Sequence, residues 1–118
     1  MSSVLFWCGR LTILSAWPSA STTPTMPMIG LGVAGSLDKD VSGTAEAVER
    51  WLRLGGRAID TALMYHNNAG VRLGISRSKV AQSEVFLTTK IPPERMGYKE
   101  ALHAIDEARE ELGVSVLD

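Results

Sequence analysis

Consecutive βαβ units, and with them a parallel sheet covered by helices, are the fold class this sequence predicts. Three observations predict it. Short apolar runs occur at "MIGLGV", "RAID" and "EVFLTTKI". Stretches with apolar residues at helical spacing lie between and after them. Gly-Gly, Pro-Pro and polar clusters punctuate the boundaries. The order is strand, helix, strand, helix, strand, helix and the start of a further strand. It suits either a doubly wound sheet or a piece of a (β/α)8 barrel, and in both the functional side chains gather at the carboxyl ends of the strands.

Taken in order, residues 1–25 stand apart. Arg10 is their only charged side chain, and no acidic residue occurs before Asp38. A Ser/Thr-rich, acid-poor start of this kind reads as a β-hairpin, a terminal extension or a targeting leader, since organelle transit peptides share that composition. From residue 26 onward a single domain is expected. "MIGLGV", residues 28–33, reads as a buried strand whose two glycines allow close approach of another group. After the polar "SLDKDVSG" the pattern predicts a helix capped by Thr44, with Glu46 in its first turn. Ala47 or Val48, Trp51 and Leu52, then Leu54 or Gly55, would form its apolar stripe, and Gly55-Gly56 would close it. "RAID" follows as a strand. Asn67 or Asn68 would cap a second helix over "AGVRLGISRS".

"EVFLTTKI", residues 84–91, is the clearest strand, rich in β-branched and aromatic residues and stopped by Pro92-Pro93. A third helix is expected from Tyr98 to Leu112, with Ala101, Ile105, Ala108 and Leu112 on its packed face, His103 in solvent and Gly113 as terminator. "VSVLD" would begin a fourth strand.

Composition narrows the function. A chain of 118 residues with net charge −1 has no clustered Lys and Arg to hold nucleic acid. No apolar run reaches the roughly 20 residues of a membrane-spanning helix. The single Cys8 has no internal disulfide partner, which suits the cytoplasm, with an organelle as the alternative if residues 1–25 are a transit peptide. The two histidines have no carboxylate or thiolate at ligand spacing, so no metal is expected.

Three residues fall where this architecture places chemistry. Asp60 ends one expected strand, Tyr65 lies in the loop after it, and Lys90 ends the next. An ammonium held against a phenol stabilises the phenolate, and a carboxylate on the neighbouring strand would keep that ammonium charged and oriented. Such a group could hand a proton to a carbonyl oxygen. The plainer reading is a strand-end ion pair with Tyr65 packing over the mouth of the sheet.

"MPMIGLGVAG", "RAIDTALMYHNNAGV" and "VFLTTKI" resemble, in order, the opening motifs of the aldo-keto reductases: Met-Pro-x-x-Gly-Leu-Gly, Asp-Thr-Ala-x-x-Tyr-x-Asn and Thr-Thr-Lys. The resemblance spans residues 26–118. It implies a (β/α)8 barrel that reduces a small-molecule aldehyde or ketone with NADPH. Tyr65 would be the proton donor, Lys90 its partner, and Asp60 the residue holding Lys90. Gly32, Val33, Ala34 and Asp60 would border the cofactor, and Met64 and Pro92 would wall the substrate pocket.

The sequence also departs from the pattern. Asn67-Asn68 stands where many members have Asn-Glu, and Val33-Ala34 stands where many have Thr-Trp. A barrel of this kind takes about 250 residues, whereas three βα units and the start of a fourth strand are expected here. The family's catalytic histidine belongs at the end of that fourth strand. The chain is therefore expected to be inactive by itself, with open sheet edges that favour self-association or a covering partner. Two other readings remain open. One is a non-catalytic interaction or regulatory module that keeps part of the scaffold. The other is a nucleotide-binding domain using "GLGVAG" as its phosphate loop, although the helix does not follow that loop directly.

Overall fold

A computed structural model describes residues 25–118; the readings made for residues 1–24 lie outside that range. Three short parallel strands form one sheet: β1 (Leu31–Gly32), β2 (Ala58–Asp60) and β3 (Phe86–Thr88). Helices α1 (Val41–Arg53), α2 (Asn68–Ser78) and α3 (Tyr98–Leu112) follow them in turn. The strand order is β1-β2-β3, with Leu31 opposite Ile59 and Ile59 opposite Leu87. Each new strand joins the same growing edge, so the two crossovers place α1 and α2 on one face, and α3 packs on that face beside α2. That is the sequential winding of a barrel. A doubly wound sheet would reverse its strand order and carry helices on both faces.

Alternation along the strands sorts the side chains between the two faces. Val33, Ile59 and Leu87 point toward the helices and pack with Val48, Leu52, Val71, Ile75 and Leu112 in one buried cluster. A Leu→Ala change in such a cluster costs about 2–5 kcal/mol, so this layer holds the unit together. On the opposite face the level row at the strand ends is Gly32, Asp60 and Thr88. This row is small and polar, while the row before it on the same face carries Ala58 level with Phe86.

Several elements differ from expectation. Helix α1 starts three residues before Thr44, because the Asp40 side chain accepts from the Gly43 amide at 2.9 Å and so caps the helix. Thr44 is instead fully buried, and its hydroxyl donates to the Leu37 carbonyl at 3.3 Å. Leu54 is 86% exposed and takes no part in the stripe, which runs through Thr44, Ala45, Val48 and Leu52. The expected close at Gly55 holds, with φ of +96° there.

Asn67 precedes α2, but its side chain does not cap the helix. On α3 the packed face is Ala104, Ala108 and Leu112, while Ile105 is exposed and Ala101 half-buried. His103 is exposed, as expected. The strands at 28–33 and 84–91 shrink to their paired centres, and Met28 and Ile29 are exposed. "VSVLD" forms no strand: Asp118 alone meets β3, its amide donating to the Leu87 carbonyl and its carboxylate accepting from the Leu87 amide. One backbone bond at a single residue does not make a ladder.

Helices α1 and α2 approach closely because α2 carries glycine where they cross. A Cβ on Gly74 would lie 2.6 Å from the Val48 Cβ and 2.7 Å from the Ala45 carbonyl oxygen, with no flexible chain end to yield. Gly74→Ala should therefore destabilise the fold by roughly 1–3 kcal/mol, read as a lower urea midpoint with an unchanged slope. An unaffected midpoint would contradict this helix contact.

Candidate functional site

Parallel pairing brings the three expected residues together. Asp60 is the last residue of β2 and stands level with Thr88 of β3. Lys90 lies two residues beyond Thr88, on the same face by alternation, so its stem reaches back across the strand ends toward Asp60. Lys90 Nζ donates to the Asp60 carboxylate in a close ion pair, to the Thr61 carbonyl at 3.2 Å and to the Tyr65 hydroxyl at 3.5 Å. The ammonium also stands 5.4 Å from the centre of the Tyr65 ring.

Tyr65 returns to the strand ends because the chain after β2 tightens into one 3-10 turn, Leu63–Tyr65. His66 ends this turn with φ of +53°, a left-handed conformation that histidine adopts more readily than bulky residues do. Leu63 anchors the turn by packing against Ala104 and Ala108 of α3. The loop after β1 holds it from the other side, where the Lys39 amide donates to the Tyr65 carbonyl at 2.8 Å. Asn67 braces the same junction, its amide donating to the carbonyls of Val33 at 2.8 Å and Leu37 at 2.9 Å.

The Asp60 and Lys90 side chains are 51% and 46% exposed. Burial pulls the Lys90 ammonium toward losing its proton, but the hydrogen bond and charge of Asp60, reinforced by Tyr65, outweigh it and raise its pKa above 10.5.

The remaining expected site residues divide. Gly32 is exposed at the end of β1, and among the described residues nothing lies within 4 Å of where a Cβ would stand there. Ala34 is exposed beside it. Val33 is fully buried among the core side chains, so at this position only the backbone faces the strand ends. Met64 is 55% exposed next to Tyr65, and Pro92 is buried just beyond Lys90 in the chain. Sequence reasoning missed the Thr61 carbonyl, which is a third acceptor for Lys90, and the bracing by Asn67. The asparagine pair after Tyr65 was the available signal, since buried asparagine amides must find partners. A cleft of about 330 Å³ lined by Arg72, Ile75, Lys79 and Val114 lies between the ends of α2 and α3 and holds none of these residues.

Comparison with known proteins gives a consistent result. The model of the Aldo/keto reductase family matches residues 28–118. An aldo-keto reductase of Mycolicibacterium paratuberculosis is 40% identical over 106 residues, which is 88% of this chain and 37% of that protein. The crystal structure of an aldo/keto reductase from Brucella melitensis superposes with a TM-score of 0.72 at 35% identity, covering 79% of this chain and 35% of the other. An aldo-keto reductase of Bombyx mori, solved in complex with NADP, gives 0.70 at 28% identity over 79% of this chain and 33% of its own. The chain thus spans about a third of the length of the relatives it matches.

Because Lys90 titrates upward, its pairing should stabilise the fold fully below about pH 10, near the unfolded lysine value, and be lost as pH rises through the higher folded value. The stability gap between the wild-type chain and Lys90→Met should therefore hold constant through the neutral range and narrow in alkali, as urea midpoints would record. With both side chains nearly half exposed, the gap should also shrink in high salt. A gap indifferent to alkali would contradict the pairing.

Proposed function

The chain belongs to the aldo/keto reductase family, and from that premise we propose that residues 26–118 are the opening βα units of a reductase barrel in which Tyr65 protonates the carbonyl oxygen of a small aldehyde or ketone. The observation that carries this reading is the meeting of Tyr65, Lys90 and Asp60 around one ammonium at the carboxyl end of the sheet.

Each residue then has a physical task. Tyr65 holds the transferable proton. Lys90, kept charged by Asp60, favours the phenolate that remains when the proton leaves. Asp60 and the Thr61 carbonyl fix the direction of the ammonium. A nicotinamide cofactor, NADPH by family, would supply hydride to the carbonyl carbon. The open space over Gly32 and the exposed Ala34 suit a flat ring lying beside Asp60, and Val33 would contribute backbone alone. Met64 would flank the substrate, with Pro92 supporting the wall from beneath.

By itself the 118-residue chain is inactive in this reading. Three strands leave the site open to water on the side that further strands would close, and proton and hydride transfer of this kind works best with water excluded. Among the described residues nothing pairs with the outer edge of β1, and such an edge favours self-association. Among the described residues no helix is long and apolar enough to cross a membrane, and the lone Cys8 suits a reducing cytoplasm.

A chimera tests the assignment. Residues 28–118 joined to the complementary portion of a reductase barrel should oxidise NADPH in the presence of a small aldehyde, while the isolated chain should not. Tyr65→Phe in the chimera should lower kcat by roughly 10²-fold or more with little change in KM. A folded chimera in which that variant keeps full activity would overturn the role of Tyr65. A folded chimera that interacts with partner proteins but oxidises no NADPH would favour the non-catalytic module.

A further inference from the structure

We infer that Asn68 is a positioning residue for Lys90, joining Glu111 on α3 to Thr61, whose carbonyl holds the ammonium. The functional meaning of this link rests on the reductase reading; its geometry does not. Thr61 is fully buried and all its polar groups are engaged. Its amide donates to the Thr88 carbonyl at 2.9 Å, its hydroxyl donates to Asn68 Oδ1 at 2.8 Å, and its carbonyl accepts from Lys90 Nζ at 3.2 Å. Asn68 is 1% exposed, and its Nδ2 donates to Glu111 Oε2 at 2.8 Å.

The polarity of this chain of bonds is forced. An ionised carboxylate only accepts, so the amide nitrogen of Asn68 must face Glu111, which leaves Oδ1 for the Thr61 hydroxyl. The Thr61 hydroxyl thereby has one donor direction, and with its amide bound to β3 the residue is held at both its backbone nitrogen and its side chain, which restricts the swing of the carbonyl that follows. Its carbonyl stays aimed at the strand ends, where Lys90 uses it. Without Asn68 the hydroxyl would be buried without a partner, a cost that turning the Thr61 residue would relieve. Turning it would move the carbonyl away from Lys90.

The identity of residue 68 suits this arrangement. The family pattern places Glu after the first asparagine, and a carboxylate there would confront Glu111 directly, with like charges repelling. Asn68 removes the repulsion and supplies the donor that Glu111 needs. Asn68 and Glu111 are thus matched to each other across α2 and α3, and α3 is coupled to a group two elements away in the site.

The titration of Lys90 in the 118-residue chain tests this without substrate or cofactor. Its ε-carbon can be followed by NMR with ¹³C-labelled lysine, the signal being assigned by its loss in Lys90→Arg. Losing the Thr61 carbonyl disfavours the charged amine, so Asn68→Leu should shift the Lys90 midpoint downward. Glu111→Leu should shift it in the same direction, whereas Glu111→Gln, which keeps an acceptor and removes the charge, should leave it in place. Gly74→Ala weakens the fold elsewhere and should not move it, which separates positioning from general loosening.

A midpoint unmoved in both leucine variants would overturn the proposal, as would Glu111→Gln matching Glu111→Leu or Gly74→Ala matching Asn68→Leu. If Asn68→Leu does not fold, the exposed Glu111 pair decides alone. An inactive chimera with the expected shifts would sink only the reductase reading. An active one with no shifts would sink only this inference.

Discussion

An ammonium group has three hydrogens to place, and the open end of this sheet is arranged around placing those of Lys90. The carboxylate of Asp60, the carbonyl of Thr61 and the hydroxyl of Tyr65 each receive one. With all three donors engaged the group has a defined position and direction, unlike an ordinary surface lysine that swings in water. Its half-exposed setting matters as well. A deeply buried ion pair would incur a desolvation cost exceeding its attraction, whereas here water still reaches both partners and the charge survives at ordinary cost.

That arrangement depends on strand register. Asp60 and Thr88 stand level because β2 and β3 pair in parallel, and alternation then puts Lys90 on the face of Asp60. A slip of one residue would send Lys90 into the helix layer and bring Thr89 to the strand ends. What prevents the slip is the other face: Ile59 and Leu87 must both remain in the core with Val48, Leu52 and Val71. The apolar packing behind the sheet thus fixes the polar geometry in front of it. Helix α3 contributes twice, through the Ala104 and Ala108 contacts that seat Leu63 and through Glu111.

Much of this was legible from residue order. The parallel α/β class, the three helices, the placement of Asp60, Tyr65 and Lys90 at strand ends and the limits of α3 all follow from apolar periodicity and from Gly and Pro punctuation, which are local properties. The misreadings have a common cause. Thr44 looked like a cap because of its residue type, but burial claimed it and Asp40 took the role. Asn67 looked like a cap too, yet its amide serves two carbonyls from the β1 end, 34 and 30 residues away in sequence. Polar residues with several local options are assigned by distant partners, which periodicity does not register.

The sequence by itself determined the kind of fold, the family and the three residues whose chemistry can be stated, because each of these is written in short-range pattern and residue type. Only tertiary structure decided that one lysine meets a carboxylate, a carbonyl and a phenol at once, and that an asparagine ties a helix carboxylate to the same place. Those facts join groups up to 43 residues apart in the chain, and such distances are set by packing, which no single segment carries alone.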